Sequence, residues 1–391
     1  MKSFDVAIIG AGPAGSSAAI CLARKGYQVA LVDKQQFPRE KLCGDFLNPI
    51  NWPVFRRLDV VNEILSRNHE KVTAFRLTSL SGDEAEARLP SGNGEASFGL
   101  GFRRFFLDNI LLAKALTQSA GVFQGVKLKE LKQTHQGWHL TIDSSEALEE
   151  LSARMLIGAD GRNSWVARHL GLAGGPSAQG RAIGFQLRLN SSNAATGKVE
   201  IHLFPGGYAG LVGLGGGVLN LCFAVDKARF QHERSFEELV ESCLGLNPHL
   251  QQILCHSEKK GEIRSIYPVY FTPRRAYGDR VLLVGDAARV SEPVTGEGIY
   301  FALKSGELAA WTVDRAFRKS HFSARHLRLY ERECRSAFQI RQGVNALLRW
   351  LIYRPALVSP FIRLTARRRR LLDSLVRTIC QPEAYTEADS L

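Results

Sequence analysis

The apolar run Phe4–Ile9 ends at Gly10-Ala11-Gly12-Pro13-Ala14-Gly15, and no other junction constrains the fold of this chain as strongly. A short apolar run bounded by glycine reads as a buried strand. Gly10 permits a tight turn after that strand. The missing side chain of Gly12 lets the backbone approach a pyrophosphate, and Gly15 lets a helix pack against the strand. The helix is expected over Gly15–Lys25, with Ala18, Ala19, Leu22 and Ala23 on its packing side. Its N-terminus offers free N–H groups and a positive dipole end to phosphates. Gly26 stops it, and Gln28–Val32 is a second strand that leads into Asp33. A carboxylate there accepts hydrogen bonds from a ribose 2′-OH and disfavours a 2′-phosphate. A glycine loop without a ligand would explain the six residues alone, but not the strand, helix and acid in register with them.

The rest of the chain extends this βαβ unit into a mixed α/β protein. Strands and turns alternate from Lys71 to Leu100, a helix follows over Leu107–Gly121, and Lys127–Ile142 is hairpin material. Ala153–Ile157 reads as a further buried strand, as does Arg280–Val284. Between them lies a region rich in β-branched and aromatic residues: Ala182–Leu189, Lys198–Phe204, Gly217–Val225 and Ile263–Tyr270, interrupted by a helix over Ser235–Leu246. We read it as an antiparallel β-sheet substrate domain inserted into a Rossmann-like nucleotide domain. The expected division is 1–70, 101–180 and 278–317 for the nucleotide domain, 71–100 and 181–277 for the inserted sheet, and 318–391 for a basic helical tail. A long helix, Gly298–Phe317, ends the nucleotide domain ahead of the tail, and the tail is expected to break at Pro355 and Pro360.

With 45% hydrophobic and 23% charged residues in a chain of 391, the composition supports a packed core and argues against disorder. The seven cysteines show no Cys-x-x-Cys pair, so neither zinc nor a disulfide scaffold follows. Free thiols fit a reducing compartment. No run of 18 apolar residues is present, so a membrane span is not expected and a cytoplasmic location is. His135, His139 and His169 lack metal-ligand spacing. The net charge of +13 is confined: Arg315–Arg377 holds 16 basic and 3 acidic residues, leaving 35 of each elsewhere. That asymmetry points to an anionic surface as partner. Nucleic acid is not expected, because no recognised binding module accompanies the charge.

Two more strand-to-turn junctions carry chemistry. Ile157-Gly158-Ala159-Asp160-Gly161-Arg162-Asn163-Ser164 is one. The other is Val284-Gly285-Asp286-Ala287-Ala288-Arg289, continued by Glu292-Pro293-Val294-Thr295-Gly296-Glu297-Gly298-Ile299. In the latter, an acid at a strand end can bond hydroxyls, and the glycine turn aims a helix N-terminus at a bound anion.

Taken together, these motifs resemble the para-hydroxybenzoate hydroxylase superfamily of flavoproteins, and more closely its geranylgeranyl reductase branch. The matching stretches are Gly10–Gly15, Lys41-Leu42-Cys43-Gly44-Asp45, Arg104 with Asp108, Gly158–Ser164 and Gly285–Ile299, within residues 4 to 315. The resemblance implies an FAD-dependent oxidoreductase, with NAD(P)H as a transient donor. It implies cofactor contacts from Gly10, Gly12, Pro13, Ala14, Gly15, Asp33 and Lys34. A second group is Lys41, Cys43, Gly44, Arg104, Val126, Asp160 and Gly161, and a third is Gly285, Asp286, Pro293, Gly296, Gly298 and Ile299. Gly-Glu-Gly-Ile at 296–299 is typical of the reductases, whereas aromatic hydroxylases usually carry Gly-Gln-Gly.

The substrate side departs from that pattern. Reductases of the branch often carry Tyr-x-Trp-x-Phe-Pro ahead of Gly-x-Gly. The corresponding stretch, Tyr208-Ala209-Gly210-Leu211-Val212-Gly213-Leu214-Gly215-Gly216, keeps the tyrosine and glycines but loses the tryptophan and Phe-Pro. Small residues there imply a wider or differently shaped cavity. The resemblance thus leaves open reduction of a carbon–carbon double bond in a lipophilic substrate, oxygen-dependent hydroxylation, and flavin binding without turnover. The Trp-x-Trp-x-Ile-Pro stretch of flavin halogenases is absent. Tyr208 and Cys43 are the candidate catalytic residues. Cys43 either donates a proton to a substrate carbon or is a small apolar residue in a tight loop. In the tail, Phe338, Ile340, Val344, Leu347, Leu348, Leu351 and Ile352 recur at helical spacing, flanked by Arg341, Arg349 and Arg367–Arg370. Such a helix either lies on an anionic membrane or packs on the protein's own core.

Overall fold

The computed structural model describes residues 1–90, 98–118, 120–144, 147–174, 180, 182–191, 197–230 and 235–381. Five parallel strands form its central sheet in the order Val281–Leu283, Leu148–Gly158, Lys2–Ile9, Val29–Asp33 and Gly121–Gln124. The apolar runs of the first four are buried, as expected of a parallel sheet covered by helices, and the edge strand Gly121–Gln124 is half-buried. Pro13–Arg24 packs against both Gly298–Lys319 and Arg104–Thr117. Lys127–Gln133 and Trp138–Asp143 add an antiparallel meander along the first half of Leu148–Gly158. The register pairs Ile9 with Gly158, Gly158 with Leu283, and Asp33 with Gln124. The carboxyl ends of the strands therefore coincide, and all three glycine motifs open onto one crevice, where open α/β sheets bind their ligands.

The second sheet has seven strands, in the order Ser257–Ile266, Ala182–Ser191, Val218–Asp226, Gly207–Gly213, Lys198–Phe204, Ala74–Thr78 and Glu84–Arg88. It is antiparallel except where Lys198–Phe204 runs parallel to Ala74–Thr78. That pair is possible because the connection between the two strands passes through the nucleotide-binding sheet. A small third sheet joins Phe46–Leu47, Gly99–Gly101 and Glu70–Val72. On this layout we propose the same division of the chain as read from the sequence, with the two sheets at the centres of the two domains.

The tail forms three helices, Ala324–Ile352, Pro355–Arg367 and Arg369–Cys380. Pro355 opens the second of them, where its missing N–H costs nothing. Pro360, expected to break the tail, lies inside that helix instead. The first helix docks on Gly298–Lys319, with Phe338 edge-on to Phe301 at 4.8 Å and the Tyr330 hydroxyl donating to the Leu283 carbonyl at 3.0 Å. The other two cross the edge strand Glu84–Arg88, whose inward residues Ala85 and Ala87 are small enough to let helices approach. Ile352, Val358, Ile362, Leu372 and Val376 join Leu77, Val199 and Ile201 in one apolar cluster.

The helical face expected in the tail is thus divided. Phe338 and Ile352 are core residues, but Ile340 and Leu347 are 70% and 61% exposed. Arg341, expected to flank the face, is 4% exposed and points inward. It pairs with Glu297 at 3.3 Å and donates to the carbonyls of Thr378, Ile379 and Gln381 at 2.7–2.8 Å. One guanidinium thereby joins the loop Pro293–Gly298 to the end of the last helix, where carbonyls lack helical partners. Arg341→Met removes a buried ion-pair partner, a loss of about 3–5 kcal/mol. It should lower the melting temperature and speed tryptic cleavage within Arg367–Arg370, measured by limited proteolysis.

Candidate active site

The crevice is shaped first by backbone. Gly10 has φ +108, and a Cβ there would meet the Ala159 carbonyl oxygen at 2.3 Å. A Cβ on Gly15 would lie 1.8 Å from the Gly10 oxygen, so Gly15 serves helix–strand packing and does not line the cavity. No side chain caps the helix Pro13–Arg24 at Gly12, which leaves its first amides for a ligand. A Cβ on Gly12 would meet only Arg39 Nη2, at 3.6 Å. Arg39 therefore stands over the loop, a placement the sequence reading missed. Asp33 accepts from the amides of Ala11 at 2.8 Å and Gln35 at 2.9 Å, bracing the loop with a carboxylate that keeps further acceptor positions.

The second and third motifs brace each other. Arg162 pairs with Asp286 at 3.3 Å, and Arg274 donates to the carbonyls of Arg162 and Ala287 at 2.8 Å. Asp160, expected at the cofactor, lines the cavity, and its carboxylate accepts from the Ser164 hydroxyl and from the amides of Trp165 and Val166. It builds the turn that begins the helix Trp165–His169. Gly285, also expected at the cofactor, does not line the cavity: a Cβ there would meet Ala14 at 2.9 Å, so this glycine serves packing. Asp286, Gly161, Pro293, Gly296, Gly298 and Ile299 do face the cavity, as do Lys34, Val126, Lys41 and Gly44.

The loop Lys41–Asp45 is held by the second sheet. Three donors converge on the Cys43 carbonyl: Gln186 Nε2 at 2.9 Å, Asn220 Nδ2 at 3.0 Å and Cys222 Sγ at 3.0 Å. None was foreseen, because their meeting depends on the pairing of Ala182–Ser191 with Val218–Asp226. Arg104 forms a two-bonded pair with Asp108 at 2.6 and 2.8 Å, and Arg39 reaches the same carboxylate at 3.3 Å. Burial pushes the Cys43 thiol up, although the neighbouring Arg104 charge pulls it down, so the sulfur stays protonated. Burial lowers the Lys41 ammonium against the pull of Asp286. Asp45 is fully buried with φ +52, its Oδ1 accepting the Arg104 amide at 3.1 Å. Burial pushes its carboxyl up to about 7, against that hydrogen bond and the charges of Arg188 and Arg104.

Beyond the loop the cavity, about 890 Å³ in all, continues between the second sheet and the tail. Leu77, Val199, Ile201, Leu203 and Val212 form one wall, and Leu348, Ile352, Phe361, Leu372 and Val376 the other. Tyr208 lies in this part, 4% exposed, and its hydroxyl donates to Glu292 Oε1 at 2.8 Å. Glu292 is 1% exposed and its backbone is fixed by Asn345, which accepts from its amide at 2.9 Å and donates to its carbonyl at 3.1 Å. Burial raises the Glu292 carboxyl above its ordinary range, opposed by the Tyr208 hydrogen bond and the charges of Arg349 and Arg162. Glu292 belongs to the third motif singled out in the sequence, but its partner became visible only in three dimensions. Among the described residues no group of His, Cys, Asp or Glu could hold a metal ion.

These residues fit FAD. The first loop and Arg39 would hold the pyrophosphate, Asp33 with Val126 and Lys34 the adenosine end, Asp286 the ribityl hydroxyls, and Lys41–Gly44 with Pro293–Ile299 the ring. Replacing Asp286 with Ala should weaken FAD binding by about 1–3 kcal/mol, because it removes an acceptor for those hydroxyls. Flavin absorbance per protein after gel filtration checks this; unchanged occupancy would remove Asp286 from the site. The Asp45 carboxyl holds its proton more tightly folded than unfolded. It therefore costs stability as pH rises from about 4 and costs most above about 7. Asp45→Asn keeps an acceptor and suits a positive φ. Its gain in melting temperature should be larger above that range than in mild acid, measured by calorimetry across pH.

Residues 3–340 match the family model described as FAD binding domain. Digeranylgeranylglycerophospholipid reductase 1 of Methanothermobacter thermautotrophicus is 29% identical over 360 residues, 85% of this chain and 82% of the relative. Menaquinone reductase of Mycobacterium tuberculosis is 28% identical over 320 residues, 80% of this chain and 77% of the relative. In fold, a flavoprotein/dehydrogenase from Cytophaga hutchinsonii superposes with TM-score 0.80 at 20% identity, over 96% of this chain and 92% of that one. A flavin-dependent brominase does so with TM-score 0.78 at 18% identity, over 100% and 97%. With the family match spanning most of its length and a cradle that fits the cofactor, the chain belongs to the FAD binding domain family and is an FAD-dependent oxidoreductase.

Proposed function

We propose that the enzyme reduces a carbon–carbon double bond of a lipophilic, isoprenoid-like molecule. The observation that carries this reading is the apolar half of the cavity, in which the buried Tyr208–Glu292 pair supplies a proton source. When bound and reduced by NAD(P)H, FAD supplies the hydride; one proton must then reach the neighbouring carbon. Tyr208 holds that proton at its hydroxyl. Glu292, whose carboxyl burial raises above its ordinary range, restores it from behind when protonated, and solvent protons then restore Glu292. Asn345 and the Arg341–Glu297 pair hold the loop carrying Glu292, and the tail helices exclude water from the apolar wall. Cys43 shapes the ring side of the cavity, with its carbonyl fixed by three donors. The names of the two reductases similar to this chain, which specify a geranylgeranyl lipid and menaquinone, support the substrate class.

Geranylgeranyl glycerolipid and menaquinone are the probes. With dithionite-reduced enzyme and no oxygen, the product should gain two hydrogens. Product that forms only with oxygen, and carries its label, would make the enzyme a monooxygenase and overturn the reading. Tyr208→Phe and Glu292→Gln should each cut kcat about 100-fold with little effect on FAD binding, the range of a lost general acid. An acid works while protonated, so activity should fall as pH rises through the raised Glu292 range, and Glu292→Gln should flatten that limb. Cys43→Ala should keep the pH profile.

A further inference from the structure

Among the described residues, 13 large apolar side chains are exposed, and six of them lie between 340 and 371: Ile340, Leu347, Trp350, Leu357, Leu364 and Leu371, at 40–70% exposure. Ile340 and Leu347 are two turns apart on one helix, as are Leu357 and Leu364 on the next, so each pair shares a face. Other positions on the same helices, Leu348, Ile352, Phe361, Leu372 and Val376, supply the cavity wall. This amounts to a roof one layer of helix thick, apolar on both sides. Around it the chain places nine arginines and one acid, Asp373, between 341 and 377. Arg341 is turned inward, Arg349 lies over the Tyr270 ring at 3.7 Å, and Arg363 pairs with Asp83 at 3.0 Å. Arg354, Arg367, Arg368 and Arg370 are exposed, and Arg354 lies 4.3 Å over the ring of Trp350.

We propose that the outer face of these three helices docks on the surface of an anionic lipid bilayer, and that lipophilic substrate enters the cavity through the roof from the bilayer. Aliphatic side chains, an interfacial tryptophan and exposed arginines on one helical layer match the acyl boundary and the phosphate headgroups respectively. A second copy of the chain would be a poor occupant, because a two-fold contact would set this arginine-rich surface against itself. No helix among the described residues is long and apolar enough to cross a membrane, so the contact lies in the interface plane. The docking surface stands on exposure and charge alone; only the route of substrate entry rests on the reductase reading.

Full-length FAD-loaded enzyme is sedimented with phosphatidylcholine vesicles, with and without phosphatidylglycerol, at low and high salt. It should bind the anionic vesicles, release as salt rises, and show tryptophan quenching by brominated lipid that Trp350→Phe reduces. The triple variants L347Q/L364Q/L371Q and R367Q/R368Q/R370Q change exposed side chains, so flavin content and melting temperature should hold. Each should lower vesicle partitioning at least about tenfold. Equal binding to both vesicle types, or none to either, overturns the proposal. So does self-association that the apolar variant abolishes in enzyme that ignores vesicles. Sedimentation reads no turnover. Docking with oxygen-labelled product would sink the reductase reading alone, and anaerobic reduction without docking would sink this proposal alone.

Discussion

The whole arrangement depends on how closely the first helix lies against the first strand. With a Cβ on Gly15 only 1.8 Å from the Gly10 oxygen, any side chain there would push the helix Pro13–Arg24 off the sheet. That helix is the floor on which Gly298–Lys319 packs, through Gly306, where a Cβ would lie 2.4 Å from the Ala14 oxygen. The long helix in turn receives the tail. Two close backbone approaches therefore set the position of the third motif and the roof as well as the first loop. Close packing transmits a displacement because the interior has little free volume to absorb it.

Charge is handled differently in the two halves of the site. Around the cofactor cradle, Arg39, Arg104 and Arg162 are each held by a carboxylate, Asp108 or Asp286, so the positive side chains are fixed before a phosphate or ring arrives. Preorganisation of this kind spares the cost of ordering long side chains on binding. Buried carboxyls behave otherwise. Burial raises Glu292 beside the apolar wall and Asp45 behind the cofactor-side loop, because water-poor surroundings disfavour the charged form. One site thus fixes ionised groups where a charged ligand would lie and shifts a buried acid toward its neutral form beside the apolar wall.

The Glu297–Arg341 pair shows how a motif acquires meaning from its neighbours. Gly-Glu-Gly at 296–298 reads as a family feature in the sequence. In the fold the glutamate is fully buried and grips an arginine 44 residues on, which itself holds the last helix by three carbonyls. A glutamine would make a weaker bond to the same guanidinium, because the charge-assisted bond is the stronger one. The acid therefore couples the flavin-side loop to the roof of the cavity.

Much of this was legible along the chain. Glycines placed by turns, and apolar runs placed by burial, are local requirements, so the strands, the three motifs and the two-sheet layout could be read from spacing. Most of the expected cofactor residues face one cavity for the same reason. The exceptions were decided by the third dimension. Gly285 serves packing, and Pro360 sits within a helix. Gln186, Asn220 and Cys222 meet Cys43 across more than 140 residues, and Glu292 meets Tyr208 across 84. Helical spacing showed that the tail was amphipathic, but not which face would be inside, since an apolar stripe carries no record of what will cover it. The sequence by itself determined the cofactor and the sheet that presents it, because those rest on backbone geometry within a few residues. Only the tertiary structure decided the proton source and the roof, because these depend on side chains from different elements being buried together.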